Sequence, residues 1–260
     1  MKSTMKTTLT LLIFFTLLFS LVPVTASRDE SLLKIFWTDT HTDKIQRANL
    51  NGSNIEDLVT QGLRDPGDIV LDAEDGKIYW TDDSTRKIQR ANLDGSNIED
   101  LVTQGLRYPC GIALDVEGDK MYWTDAHTDK IQRANLDGSN IEDLVTQGLR
   151  YPCGIALDVE NGKMYWTDMS TDKIQRTNLD GSNIEDLVTR TQGLRYPSDI
   201  VLDVEGGKMY WTDAHTDKIQ RANLNGSDVE DLVTQGLEYP VGIVLDVEGG
   251  KMYWTDAHTD

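Results

Sequence analysis

Six tryptophans, Trp37, Trp80, Trp123, Trp166, Trp211 and Trp254, stand 43, 43, 43, 45 and 43 residues apart, each inside a Trp-Thr-Asp triplet. A repeat of this length is a single supersecondary unit. It cannot cover its own apolar faces and must stack on copies of itself. The one longer interval comes from Arg190 and Thr191, inserted into the LVTQGL of the other copies.

One unit, residues 109–148, reads PCGIALDVEGDKMYWTDAHTDKIQRANLDGSNIEDLVTQG. It divides into four runs, GIALD, KMYWTD, KIQRANL and IEDLVTQ, separated by EGD, AHTD and DGSN. Each run is short for a helix and rich in β-branched and aromatic residues. An Asp-Gly pair between two such runs is a hairpin signal, because a tight hairpin turn asks for positive φ at both central residues. Four antiparallel strands per unit, repeated around an axis, predict an all-β fold, a β-propeller of four-stranded blades.

The motif residues carry a resemblance. FWTD at 36–39, YWTD ending at Asp82, Asp125, Asp168, Asp213 and Asp256, a following KIQRANLDG and a preceding P-x-x-I-x-L-D are similar to the YWTD, or class B, repeat of the low-density lipoprotein receptor family. The similarity runs over residues 31–260. It implies a six-bladed propeller with YWTD on the second strand of each blade, Tyr and Trp packed between blades, and the motif aspartates (Asp39 and the five above) serving structure.

Strand counting gives three strands from residues 33–62, sixteen from 64–237 and two from 240–260. Six closed blades need three more strands than this, and five need one fewer. The reading adopted is the family's six-bladed geometry with one incomplete blade; five-bladed closure is the alternative. Unpaired strand edges between near-identical units also raise the prospect of a strand-exchanged homodimer.

Residues 1–26 read as a secretory signal peptide: two lysines precede the apolar run LTLLIFFTLLFSLVPV, which closes on small residues at Thr25 and Ala26. The propeller is then residues 27–260, secreted, with no membrane span in the mature chain. A net charge of −19 disfavours nucleic acid and anionic membranes and leaves room for a basic ligand. Cys110 and Cys153 occupy equivalent positions of adjacent units, where innermost strands should stand roughly 7–10 Å apart, at or beyond the reach of a bridge. Two buried thiols are therefore favoured over a disulfide.

Enzymes need unlike groups at one point, whereas identical repeats make rings of like groups. Sites must lie where the copies differ: Gly67 and Asp68, Cys110, Cys153, Ser198 and Asp199, Val241, Asp83 and Arg86, Met169, the Arg190-Thr191 insertion and Glu238. Asp68 and Asp199, on innermost strands, should face the channel mouth, where they could collect a cation. Related propellers with gluconolactonase-like chemistry bind calcium there, so a calcium-dependent hydrolase is one alternative, and a purely structural repeat protein is another.

The favoured reading is a secreted, non-enzymatic module for an extracellular protein or peptide, without a cofactor or metal. Its expected ligand face joins the loops between strands two and three to those between units: His41, Asp43, Arg64, Arg107, Tyr108, His127, Asp129, Arg150, Tyr151, Arg195, Tyr196, His215, Asp217, Tyr239 and His258. Arg and Tyr predominate at binding hot spots. Each histidine precedes an aspartate by two residues, which suggests a face that gains charge as pH falls. Asn51 and Asn225 form Asn-Gly-Ser glycosylation sequons on the opposite rim, where other copies carry Asp.

Overall fold

A computed structural model describes residues 34–258; the expected signal peptide lies outside the described residues. Within them, 21 strands form six antiparallel sheets. Four sheets are complete blades. Blade 2, for example, runs outward through Pro109–Asp115, Lys120–Asp125, Lys130–Asn135 and Glu142–Val145. Blade 1 begins at Pro66, blade 3 at Pro152 and blade 4 at Pro197. The chain ends contribute a three-stranded sheet (Lys34–Asp39, Lys44–Asn49, Glu56–Val59) and a two-stranded sheet (Pro240–Asp246, Lys251–Asp256).

The 21 strands amount to five four-stranded blades with one to spare, the count of the five-blade alternative, but they stand as four complete blades and two incomplete sheets, which corrects the expectation of a single incomplete blade. The two terminal sheets do not merge into one blade. They meet side by side, with Tyr253 and Ile35 packed on buried Leu50. Tyr79 and Leu136 share a cluster across the boundary between blades 1 and 2 in the same way.

The second strand is buried along almost its whole length because a blade covers each of its faces. Trp80, Trp123, Trp166 and Trp211 are fully buried, whereas Trp254, on the terminal sheet, is 41% exposed. Each blade also fastens the next by polar groups that pattern alone did not single out. The motif threonine donates to a carbonyl of the following innermost strand: Thr81 to Cys110 O at 2.7 Å, Thr167 to Ser198 O at 2.9 Å. The arginine of KIQR reaches the next blade too, Arg90 to Leu136 O and Arg133 to Leu179 O, both at 3.2 Å. These bonds satisfy buried backbone carbonyls, which would otherwise carry a desolvation cost.

The Asp-Gly turns differ in detail from the hairpin expected. In residues 137–140 positive φ falls on Gly138 and Asn140, while the Asp137 side chain accepts the Ser139 N–H at 2.8 Å. Glycine is required at 138 for a second reason: a Cβ there would stand 2.3 Å from the Leu101 carbonyl oxygen of the neighbouring blade.

All five innermost strands share one irregularity that shapes the axial cavity. Pro109 pairs with Asp125 and Ile112 with Trp123, which leaves an extra residue in the innermost strand; the other four repeat this. Such bulges re-aim side chains. Here they turn residues 67–68, 110–111, 153–154, 198–199 and 241–242 toward the axis, where these pairs line the central cavity.

Candidate functional site: an acidic channel with an aromatic rim

The cavity on the axis has a volume of about 540 Å³. Its wall carries six aspartates, Asp39, Asp65, Asp68, Asp83, Asp199 and Asp256, and no Lys, Arg or His. At its mouth stand Tyr108, Tyr151, Tyr196 and Tyr239.

The sequence builds this rim locally. The chain entering each innermost strand hydrogen-bonds to the loop after the second strand of its own blade: Ala126 N to Tyr108 O at 2.9 Å, Met169 N to Tyr151 O at 3.1 Å, Ala214 N to Tyr196 O at 3.2 Å. The preceding blade supplies a carboxylate. Asp129 accepts the Tyr151 N–H, Asp172 that of Tyr196, Asp217 that of Tyr239 and Asp43 that of Asp65, at 2.8–3.1 Å. All four recipients adopt positive φ, a conformation costly for a non-glycine residue unless its surroundings hold it there. Tyr108 is the exception that explains the rule. The residue before it in register is Arg86, which cannot accept, so the Tyr108 N–H turns to Asp125 at 3.2 Å and its φ is not positive.

The tyrosines form two groups. Tyr108 and Tyr151 lie 5.5 Å apart between centroids, with His127 against both at 4.8 and 5.6 Å. Tyr196 and Tyr239 lie 6.3 Å apart, with His258 5.5 Å from Tyr239. Burial, reinforced by the neighbouring tyrosine, pushes Tyr151 upward and Tyr239 up to about 12, so both hydroxyls stay protonated across the physiological range.

The remaining face residues are dispersed. Arg64, Arg107 and Arg150 are exposed and Arg195 half-buried; their side chains do not line the cavity. Their backbone N–H groups instead donate to the motif aspartates Asp82, Asp125, Asp168 and Asp213 at 2.6–2.8 Å. His41 and His215 are exposed on their loops. Asn51 and Asn225 are exposed on the opposite rim, each accepting from the serine two residues on.

Asp68 and Asp199 sit deeper, on the bulges of blades 1 and 4. Asp68 accepts the N–H groups of Ile69 and, across the blade boundary, Ile112; Asp199 accepts those of Ile200 and Ile243, all at 2.8–2.9 Å. The equivalent positions elsewhere are Gly111, Gly154 and Gly242, which leave room for the carboxylates. Burial pushes both acids up, and the negative charge of Asp68 pushes Asp199 further. Nearer the rim, burial and adjacent Asp65 raise Asp83 to about 6.

A carboxyl raised by folding keeps a proton that the unfolded chain releases, so the fold loses stability as pH climbs from the ordinary carboxylate range toward the folded value. Asp199→Asn removes that slope while giving up one backbone acceptor at every pH. Its thermal midpoint relative to the unaltered chain is expected to be higher at pH 8 than at pH 4. The same offset at both pH values would show that Asp199 does not titrate abnormally.

At the cysteines the structure overturns the expectation of two buried thiols. Cys110 and Cys153 form a disulfide with their Cα atoms 5.0 Å apart. This is closer than the roughly 7–10 Å expected between equivalent positions of neighbouring inner strands. The bulges sit where the innermost strands begin, and there adjacent strands crowd together: a Cβ on Gly111 would stand 2.3 Å from Cys153 O.

Four-stranded sheets stacked around a side-chain-lined axial cavity define a β-propeller. The chain belongs to the low-density lipoprotein receptor repeat class B family, which matches residues 34–73, 76–116, 119–159, 162–204 and 207–247. Low-density lipoprotein receptor-related protein 4 of Homo sapiens and of Mus musculus are each 53% identical over 38 residues, 15% of this chain and 2% of the relative. The chain thus spans a small fraction of those relatives. A solved structure of a nidogen/laminin complex contains a chain 31% identical, with a TM-score of 0.77, over 86% of this chain and 84% of that one. Virginiamycin B lyase from Staphylococcus aureus, 22% identical over 86% of this chain and 73% of that one at a TM-score of 0.66, shares the fold.

Proposed function

We propose that this chain is a secreted, non-enzymatic module that binds an extracellular protein or peptide on the channel face. The observation that carries the reading is the rim: four tyrosines and two histidines arranged around an acidic mouth, three of the tyrosines held by a hydrogen bond from the preceding blade. Tyrosine offers large contact area with little conformational entropy to lose, so a preset tyrosine ring suits protein recognition. The exposed Arg107 and Arg150 flank it and would fix orientation and speed encounter. That the related propeller was solved in a nidogen/laminin complex is in keeping with this class of ligand. The calcium-dependent hydrolase is disfavoured by side-chain chemistry: among the described residues no three His, Cys, Asp or Glu gather as a metal shell requires. The self-association expected from the sequence stays within the proposal, since Trp254 is exposed at the edge of the last sheet.

The test is retention of extracellular proteins from the source fluid on the immobilised chain. Tyr108→Ala/Tyr151→Ala is expected to lower retention of a specific partner about tenfold or more, as loss of paired hot spots does. Asn51→Gln/Asn225→Gln, on the opposite rim, is expected to leave it unchanged. Equal retention by both variants would overturn the channel face as the binding surface.

A further inference from the structure

We propose that the channel is a binding site for an organic cation, a guanidinium or alkylammonium head seated between Asp68 and Asp199 and entering past Tyr196 and Tyr239. The inference rests on the channel-face reading above and names the chemistry of the group that face admits.

Three features of the cavity converge. Its wall holds six carboxyl groups and no basic side chain, so a guest's positive charge meets no like charge. Asp68 and Asp199 are fixed rather than loose: each carboxylate is held by one N–H of its own strand and one of the next blade. Two bonds leave further acceptor capacity on each carboxylate for a donor in the channel. The mouth, finally, is aromatic, and tyrosine faces attract cations within about 6 Å of the ring centre.

The same features speak against other guests. An anion would face six carboxyls. A divalent metal ion needs six to eight oxygen ligands, or four of mixed type, and the described side chains gather no such set. A volume of about 540 Å³ admits a side chain or a small amine, within the range usual for small-molecule sites. Asp68 and Asp199 also break the repeat: the other innermost strands carry glycine at their position, so the acids are not a by-product of sequence duplication. Burial holds both carboxyls toward the protonated form, with the charge of Asp68 adding to it at Asp199, and a cation between them would favour the charged form and expel a proton.

Calorimetric titration of the whole secreted chain with N-acetyl-arginine methylamide tests the proposal, with the neutral isostere N-acetyl-citrulline methylamide as control. The arginine probe is expected to saturate one site, to weaken with salt, and to bind at least about tenfold tighter than citrulline, the ratio expected when a charged hydrogen-bonded group meets fixed carboxylates. Asp68→Asn/Asp199→Asn is expected to abolish that preference. Should this double variant fail to fold, Tyr196→Leu, which leaves both acids in place, is expected to weaken the arginine probe severalfold. Tetramethylammonium distinguishes the sources. Tighter binding than arginine marks a free quaternary amine as the natural guest, and weaker binding marks a basic side chain of a partner; both support an organic-cation site. Equal binding of arginine and citrulline, or an unchanged preference in the folded double variant, would overturn it. The two readings fail separately: a chain that retains a protein through the rim but ignores the arginine probe loses only the cation site.

Discussion

Trp123→Ala is expected to cost about 3–5 kcal/mol of unfolding free energy, the range for truncating a fully buried aromatic side chain. Trp123 has no exposed surface and shares a cluster with Tyr79 of the preceding blade and with Met121, Ala134 and Leu136 of its own. Its indole N–H donates to Gln132 at 3.2 Å, and Gln132 donates to Asp143, which Lys130 also holds. The substitution therefore opens a cavity at a blade boundary and strips Gln132 of a donor. Trp254→Ala, at 41% exposure, is expected to cost under about 1 kcal/mol. Urea unfolding followed by circular dichroism compares the two. Similar losses for both would mean that blade boundaries do not carry the stability.

The second large effect is at the disulfide. Cross-linking residues 43 apart removes loop-closure entropy from the unfolded chain, so replacing both cysteines by serine should destabilise by about 2–4 kcal/mol. The bridge joins adjacent innermost strands, and its loss also loosens the channel wall between blades 2 and 3. Urea midpoints with and without reductant measure it. A midpoint indifferent to reductant, with the double serine variant unchanged, would exclude a stabilising bridge.

The strands, their order and the burial of the motif Trp were readable because periodicity and turn residues are local signals. Closure was not, since it depends on summed angles between all blades, and two incomplete sheets replaced the one expected. The cysteine pairing was missed for a related reason: spacing of 43 gives equivalent positions but not distance from the axis, and the bulge that narrows it leaves no mark in residue type. The site divides the same way. The tyrosine ring and the axial placement of Asp68 and Asp199 followed from repeat register. The roles of Asp43, Asp129 and Asp217 did not: read as ligand contacts, they hold the next blade's backbone. Asp172 does the same, and its loop hides the equivalence by reading MSTD instead of AHTD. Arg86 was the available signal, a break in an otherwise acidic column that changes the posture of Tyr108.

The meeting of Tyr253 with Leu50 repeats, at the ends of the chain, the kind of contact that joins interior blades. A molecule whose every boundary is interchangeable has no internal address: during folding, any unit can dock on any other with nearly native energy. Correct order must then come from chain connectivity and from the few positions where copies diverge. The cysteines of blades 2 and 3 are one such pair, and once joined they record which two neighbours found each other. The rare departures from the repeat are therefore the molecule's assembly instructions as well as its chemistry.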